Sequence, residues 1–184
     1  MKVLVIGRNR ETLEKVKTGL RVKGIVAHGT IEIEKASVEF DAKDFALVAF
    51  GGGVDAPIRE KLKSAFKKQN PGVILLDTFA PIAVPHIAAA LRGDLDRPEF
   101  ASRFEVTEHE RAYLVRLDVT KACDVRVEVH HLGETLQAEM LVERHIASGP
   151  FEARIDESKV HSGVNIILVT LGGREFYFRR IERK

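Results

Sequence analysis

Three short stretches carry the residue types that phosphate chemistry would use. They are Gly7-Arg8-Asn9, Gly51-Gly52-Gly53 with Asp55 close behind, and Asp77-Thr78, each directly after an apolar run. An arginine beside a glycine-rich loop that opens a helix can hold a phosphate: the guanidinium supplies charge and the loop's N–H groups supply donors. A triple glycine is also an ordinary flexible turn, so both readings stay open for Gly51–Gly53. A dinucleotide site would need three glycines at fixed spacing in the first turn, and Gly7 stands there alone.

Other chemistries find less support. The seven histidines include His130-His131 but no His-x-His, Cys-x-x-Cys or His-Glu-x-x-His spacing. On an alternating strand those two neighbours face opposite ways and cannot share a metal. Cys123 is the only cysteine, which excludes an internal disulfide and a thiolate zinc site and fits a reducing compartment. Ser148-Gly149 and Ser162-Gly163 lack the Gly-x-Ser-x-Gly setting of a nucleophile elbow and read as turns. The sequence assigns no catalytic residue, no metal ligand and no cofactor.

The elements that would position these residues change character partway along the chain. Val3–Ile6, Phe45–Phe50 and Val73–Leu76 are continuous apolar runs, the pattern of strands buried on both faces, and Ile25–Ala27 reads as a fourth. Between them Leu13, Val16 and Leu20 recur at helical spacing behind an Asn9 cap and ahead of a Gly24 stop. Thr30 is placed to cap a second helix running to about Phe40. Asp55 and Pro57 are placed as cap and first-turn residues of a third. Strands alternating with helices predict a right-handed parallel βαβ sheet over 1–92. The stretch 93–103, with Gly93 and Pro98 among charges, reads as a linker. Beyond it the period becomes two, as in Val125, Val127 and Val129 against Arg126, Glu128 and His130, and short strands with glycine turns predict a small antiparallel sandwich over 104–184.

Composition agrees with a globular chain: 184 residues, 45% hydrophobic and 30% charged. The net charge of +2 hides an asymmetry, with 15 Lys/Arg against 10 Asp/Glu in residues 1–92 and 14 against 17 in the rest. The basic excess lies on two helix faces, and no aromatics interleave with those lysines to stack bases, so nucleic acid is not the expected partner. Met1–Gly7 runs straight into VLVIG without a basic leader or a long apolar stretch, so the expectation is a cytoplasmic protein with no membrane partner.

The order of elements over residues 1–92, and the phrase DFALVAF before the third loop, resemble the receiver domain of response regulators. The resemblance implies a flavodoxin-like sheet with an acidic pair after the first strand and a phospho-accepting aspartate after the third. Here those places hold Gly7-Arg8-Asn9 and Gly51, so no carboxylate is available for Mg²⁺ or for an acyl phosphate. Asp77 and Thr78 fall near the family's switch hydroxyl.

Over residues 112–184, CDVRVEVHHLGE, GPFEARID and HSGVNIILVTLGGREFYFRRIERK are similar in order and spacing to the C-terminal sorting domain of type IX secretion cargo, and to the related Ig-like domain of flagellar hook-capping proteins. That resemblance implies an Ig-like sandwich and a bacterial source. Asn165 stands where the pattern usually has an aromatic, and export would require a leader upstream of Met1.

Taken together, these readings predict a non-enzymatic signalling or interaction protein: a phosphorylation-incompetent receiver-like domain joined to a sandwich that binds a protein partner, with a homodimer expected through an uncovered sheet edge or an apolar helix face of the first domain. The alternative is a nucleotide- or phosphate-binding Rossmann-like enzyme or sensor using Gly7, Arg8, Asn9, Gly51, Gly52, Gly53, Asp55, Asp77 and Thr78.

Overall fold

Strands β1 (Lys2–Ile6), β2 (Val26–Thr30), β3 (Leu47–Phe50) and β4 (Ile74–Asp77) form a parallel sheet in the order β2-β1-β3-β4. This is the flavodoxin-like order over its first four strands. The computed structural model describes residues 1–96, 98–132 and 136–183, in two compact units, 1–96 and 97–184. Ile6 pairs with both Thr30 and Phe50, and Phe50 with Asp77, so all four strands end in one row. That row is where a doubly wound sheet presents its loops to a ligand.

Helices cover both faces of this sheet. On one side α1 (Arg10–Val22) and α4 (Ala83–Arg92) bury Leu13, Val16, Leu20 and Ile87 against Val3, Val5, Leu47 and Ala49. On the other, α3 (Ala56–Gln69) sets Leu62 and Phe66 against Leu4, Ile6, Val48 and Phe50. Phe50 and Phe66 are fully buried, each stabilising by about 1.5–3 kcal/mol relative to exposure. Close approach of α1 to α4 depends on Gly19, where a Cβ would lie 2.7 Å from Val84 Cγ2. As expected, Asn9 caps α1, its Oδ1 accepting from Thr12 N at 2.9 Å, and Gly24 ends it at φ +73°.

The predicted second helix is mostly lost. Thr30 Oγ1 accepts from Glu32 N at 3.0 Å, which makes a local turn, and the segment continues as a 3-10 turn at Ile33–Lys35 and the short α2 (Ala36–Glu39). The hydroxyl satisfies a donor two residues on, a pattern that competes with helix entry.

In the second unit β5 (Ala101–His109), β6 (Ala112–Val119) and β9 (Gly149–Asp156) make one antiparallel sheet. A second sheet has the order β11-β10-β7-β8, from β7 (Cys123–Leu132), β8 (Leu136–Ile146), β10 (Gly163–Leu171) and β11 (Glu175–Arg183). Val115, Leu117, Val125, Val127, Val129, Ile155, Ile167 and Val169 fill the space between the sheets. This is a seven-stranded sandwich whose fourth strand lies beside the third, where the constant-type immunoglobulin order puts it beside the fifth. The stretch 93–103 holds a 3-10 turn at Asp94–Asp96, and its last three residues belong to β5. Mixed charge hid this strand, which pairs along β6 and exposes much of its outer face. Gly133, read as part of a turn, lies outside the described residues.

Candidate functional site

Nine residues singled out by sequence lie on the strand-end row of the first unit, where the structure builds two ion-pair groups and a buried pair from some of them and uses Gly7 and Asn9 for backbone pairing and capping. Arg8 follows β1. Its Nε donates to Gly53 O at 2.7 Å and its other arm donates to the Asp55 carboxylate. Asp55 sits at the N-cap position of α3 but makes no side-chain cap bond, because Arg8 holds its carboxylate instead. This corrects the capping role read from sequence. The loop closes on itself, with Gly51 N donating to Ile6 O at 2.8 Å and Val54 N to Gly51 O at 3.0 Å. Neither Gly51 nor Gly53 uses positive φ, and a Cβ at Gly51 would come within 3.3 Å of Ile6 O. Gly51 is therefore a close-approach residue of the β1–β3 seam.

Asp77, at the end of β4, takes Lys63 Nζ at 2.8 Å and faces Arg59 at 3.7 Å. Arg59 also donates to Val54 O at 2.5 Å, and Lys63 reaches Glu60 at 3.0 Å. Burial pulls the Lys63 ammonium down, yet its bonds to Asp77 and Glu60 outweigh that and hold it above its ordinary value. Among the described residues Arg59 Nε and Asp77 Oδ1 are buried without a hydrogen-bond partner. Sequence reasoning counted Lys63 only among the lysines of a basic helix face and passed over Arg59, although their spacing of four on α3 puts both over the end of β4.

Thr78 is buried beside His86 on α4, with Oγ1 3.2 Å from Nδ1. A hydroxyl against an imidazole is the geometry of an activated nucleophile. Here the two side chains are only 4% and 5% exposed, so a substrate has no approach, and burial pushes His86 down to about 4. The pair is part of the packing. Gly7 spends its N–H on Thr30 O at 3.1 Å, and Asn9 is occupied as a cap. Pro57, in the first turn of α3, has no N–H to offer an anion.

In the second unit Asn165, 1% exposed, bonds four ways: Oδ1 with His131 Nδ1 at 2.7 Å and His161 N at 3.2 Å, and Nδ2 to His161 O at 2.8 Å and Gly163 O at 3.1 Å. The rings of His131 and His161 stack at 3.8 Å. Glu175 accepts from the backbone N–H groups of Glu99, Phe100 and Ala101 at 2.8–3.1 Å and from Tyr177 at 2.6 Å. Burial and that bond raise the Tyr177 phenol well above its ordinary value. Among the described residues no group of three metal-ligating side chains converges, and no helix is long and apolar enough to cross a membrane.

No family model matches the sequence, and no curated protein does. Among solved structures, a β-glucosidase from Erythrobacter marinus aligns at 12% identity and TM-score 0.37 over 100% of this chain and 46% of its own. A β-glucosidase from Bifidobacterium adolescentis aligns at 12% identity and TM-score 0.34, over 99% and 49%. An NAD kinase from Archaeoglobus fulgidus aligns at 11% identity and TM-score 0.32, over 100% and 90%. The chain spans about half the length of the two glucosidases. Superpositions this loose carry no argument about this chain.

Proposed function

We propose that this chain is a non-enzymatic interaction protein, a phosphorylation-incompetent receiver-like unit joined to a β-sandwich that engages a protein partner. The observation that carries this reading is the strand-end row itself. Its charged groups pair with one another, Arg8 with Asp55 and Asp77 with Lys63 and Arg59, and glycine stands at the acceptor position. An anion arriving beside Gly51–Gly53 must displace Asp55 from Arg8, and one arriving at Asp77 meets a carboxylate already in place.

Arg8, half-exposed beside the glycine loop, favours the second reading, a bound phosphate or nucleotide. A thermal-shift series with nucleotides, dinucleotides, inorganic phosphate and beryllofluoride with Mg²⁺ separates the two. A ligand at about 100 times its Kd adds about 2.7 kcal/mol, a shift of several degrees. The interaction reading expects no shift with any of them. A shift abolished by Arg8→Ala, or an aspartyl phosphate on Asp55 or Asp77 seen by mass spectrometry, overturns it.

A further inference from the structure

β2 is an outer strand of its sheet, and among the described residues it pairs with β1 alone. In that pairing Val26 N donates to Met1 O at 3.3 Å and Thr30 O accepts from Gly7 N at 3.1 Å. The backbone groups of Val26, His28 and Thr30 thus face β1, and alternation turns those of Ala27 and Gly29 outward. An outer strand left open is normally protected by a proline, a bulge or a charged side chain. VAHGT has no proline and no lysine, arginine or acid, Val26 is 53% exposed, and His28 is exposed.

The surroundings of β2 are complementary to themselves under a two-fold rotation. Arg21 and Lys23 lie just before the strand, and Glu32, Glu34 and Lys35 just after it, with Lys35 3.6 Å from Glu32, so the leading flank carries net positive charge and the trailing flank net negative charge. A second copy laid antiparallel, with the axis at His28, brings the acidic end of one strand to the basic end of the other. A parallel copy would set like charges together. The same axis puts Ala27 opposite Gly29 of the second copy, a pair that exchanges two N–H···O bonds, and it generates the pair twice. A hollow of about 280 Å³ lined by Lys17, Arg21 and Gly24–Ala27 runs along this edge, on the α1 side of the sheet. In this register Ile31 of the second copy stands opposite Ile25, both half-buried on the α1 side of their own sheets.

We propose that β2 is a homodimer seam, joining two four-stranded sheets into one continuous sheet of eight. This goes beyond the functional reading above, since a strand-paired dimer stands whether or not the strand-end row takes a ligand. Its readout is mass rather than ligand-induced stability.

Sedimentation equilibrium of the full chain, from micromolar to several hundred micromolar, should fit a monomer–dimer equilibrium built on the 20.5 kDa monomer. Ala27→Pro removes an outward N–H that the monomer does not use, and should leave a folded chain at monomer mass. Glu32→Lys with Glu34→Lys should weaken the dimer by about tenfold or more, and adding Arg21→Glu with Lys23→Glu on the same chain should restore it. A monomer at every concentration overturns the proposal. So does a dimer whose dissociation constant is indifferent to both the proline and the charge reversal. Should Ala27→Pro fail to fold, the reversal and its rescue decide the matter alone.

Discussion

The strand-end row of the first unit and the polar nodes of the second are both gatherings of charge and hydrogen bonds, yet they differ in what holds each group. Arg8 and Asp55 are about half-exposed, and each answers mainly to the other. Glu175 instead receives three successive backbone N–H groups at the start of β5, and Asn165 ties the His161–Gly163 turn to His131 on β7. A side chain bonded to backbone at a strand start defines where that strand begins, while one bonded to another exposed side chain defines little. Satisfied buried polar groups are expensive to remove and exposed ion pairs are not. The difference teaches that the conspicuous exposed residues of the first unit are the replaceable ones, and that structural polar chemistry sits on groups held by buried or backbone partners, in either unit.

The buried part of the strand-end row should give the largest effect, through His86. The unfolded chain protonates this imidazole near 6.5, whereas burial holds the folded one neutral down to about 4. Stability from this group is therefore complete above pH 6.5 and is lost as pH falls toward 4, by about 3 kcal/mol. Urea denaturation across that range should show the decline, and His86→Gln should flatten it. An unchanged slope in the variant would mean other groups set the acid limb.

Next, Asn165→Ala should cost about 2–3 kcal/mol, because it strips partners from His131, His161 and Gly163 at one stroke. Asn165→Asp, which sets a carboxylate oxygen against the carbonyls of His161 and Gly163 in a buried site, should cost at least as much as Ala. Glu175→Ala follows at about 2 kcal/mol, with faster amide exchange at Phe100 and Ala101 as its local signature. Equal exchange in variant and wild type would show that β5 begins without Glu175.

At the small end, Arg8→Ala should move stability by no more than about 0.5 kcal/mol. A loss as large as that of Asn165→Ala would erase the contrast between the two regions and give the Arg8–Asp55–Gly53 cluster a structural role equal to the second unit's nodes.

Much of the architecture was legible because it rests on local pattern. Continuous apolar runs marked β1, β3 and β4, the period of two marked most of the sandwich, and Asn9 and Gly24 bracketed α1 through interactions within a few residues. β5 was missed because its outward charges masked the alternation, and the second helix was overcalled because a threonine turn and a helix cap look alike in sequence.

What the sequence by itself determined is the alternation of strands with helices followed by a run of strands, and the glycine stretch Gly51–Gly53 directly after β3, since both follow from residue identity and short-range periodicity. Tertiary structure alone decided the pairings: Asp55 with Arg8 rather than with its own helix, Arg59 and Lys63 over Asp77, Glu175 at the start of β5, and Asn165 beside His131. The physical reason is separation along the chain. These partners lie between 14 and 76 residues apart, and side chains that far apart meet only when the fold brings their elements together.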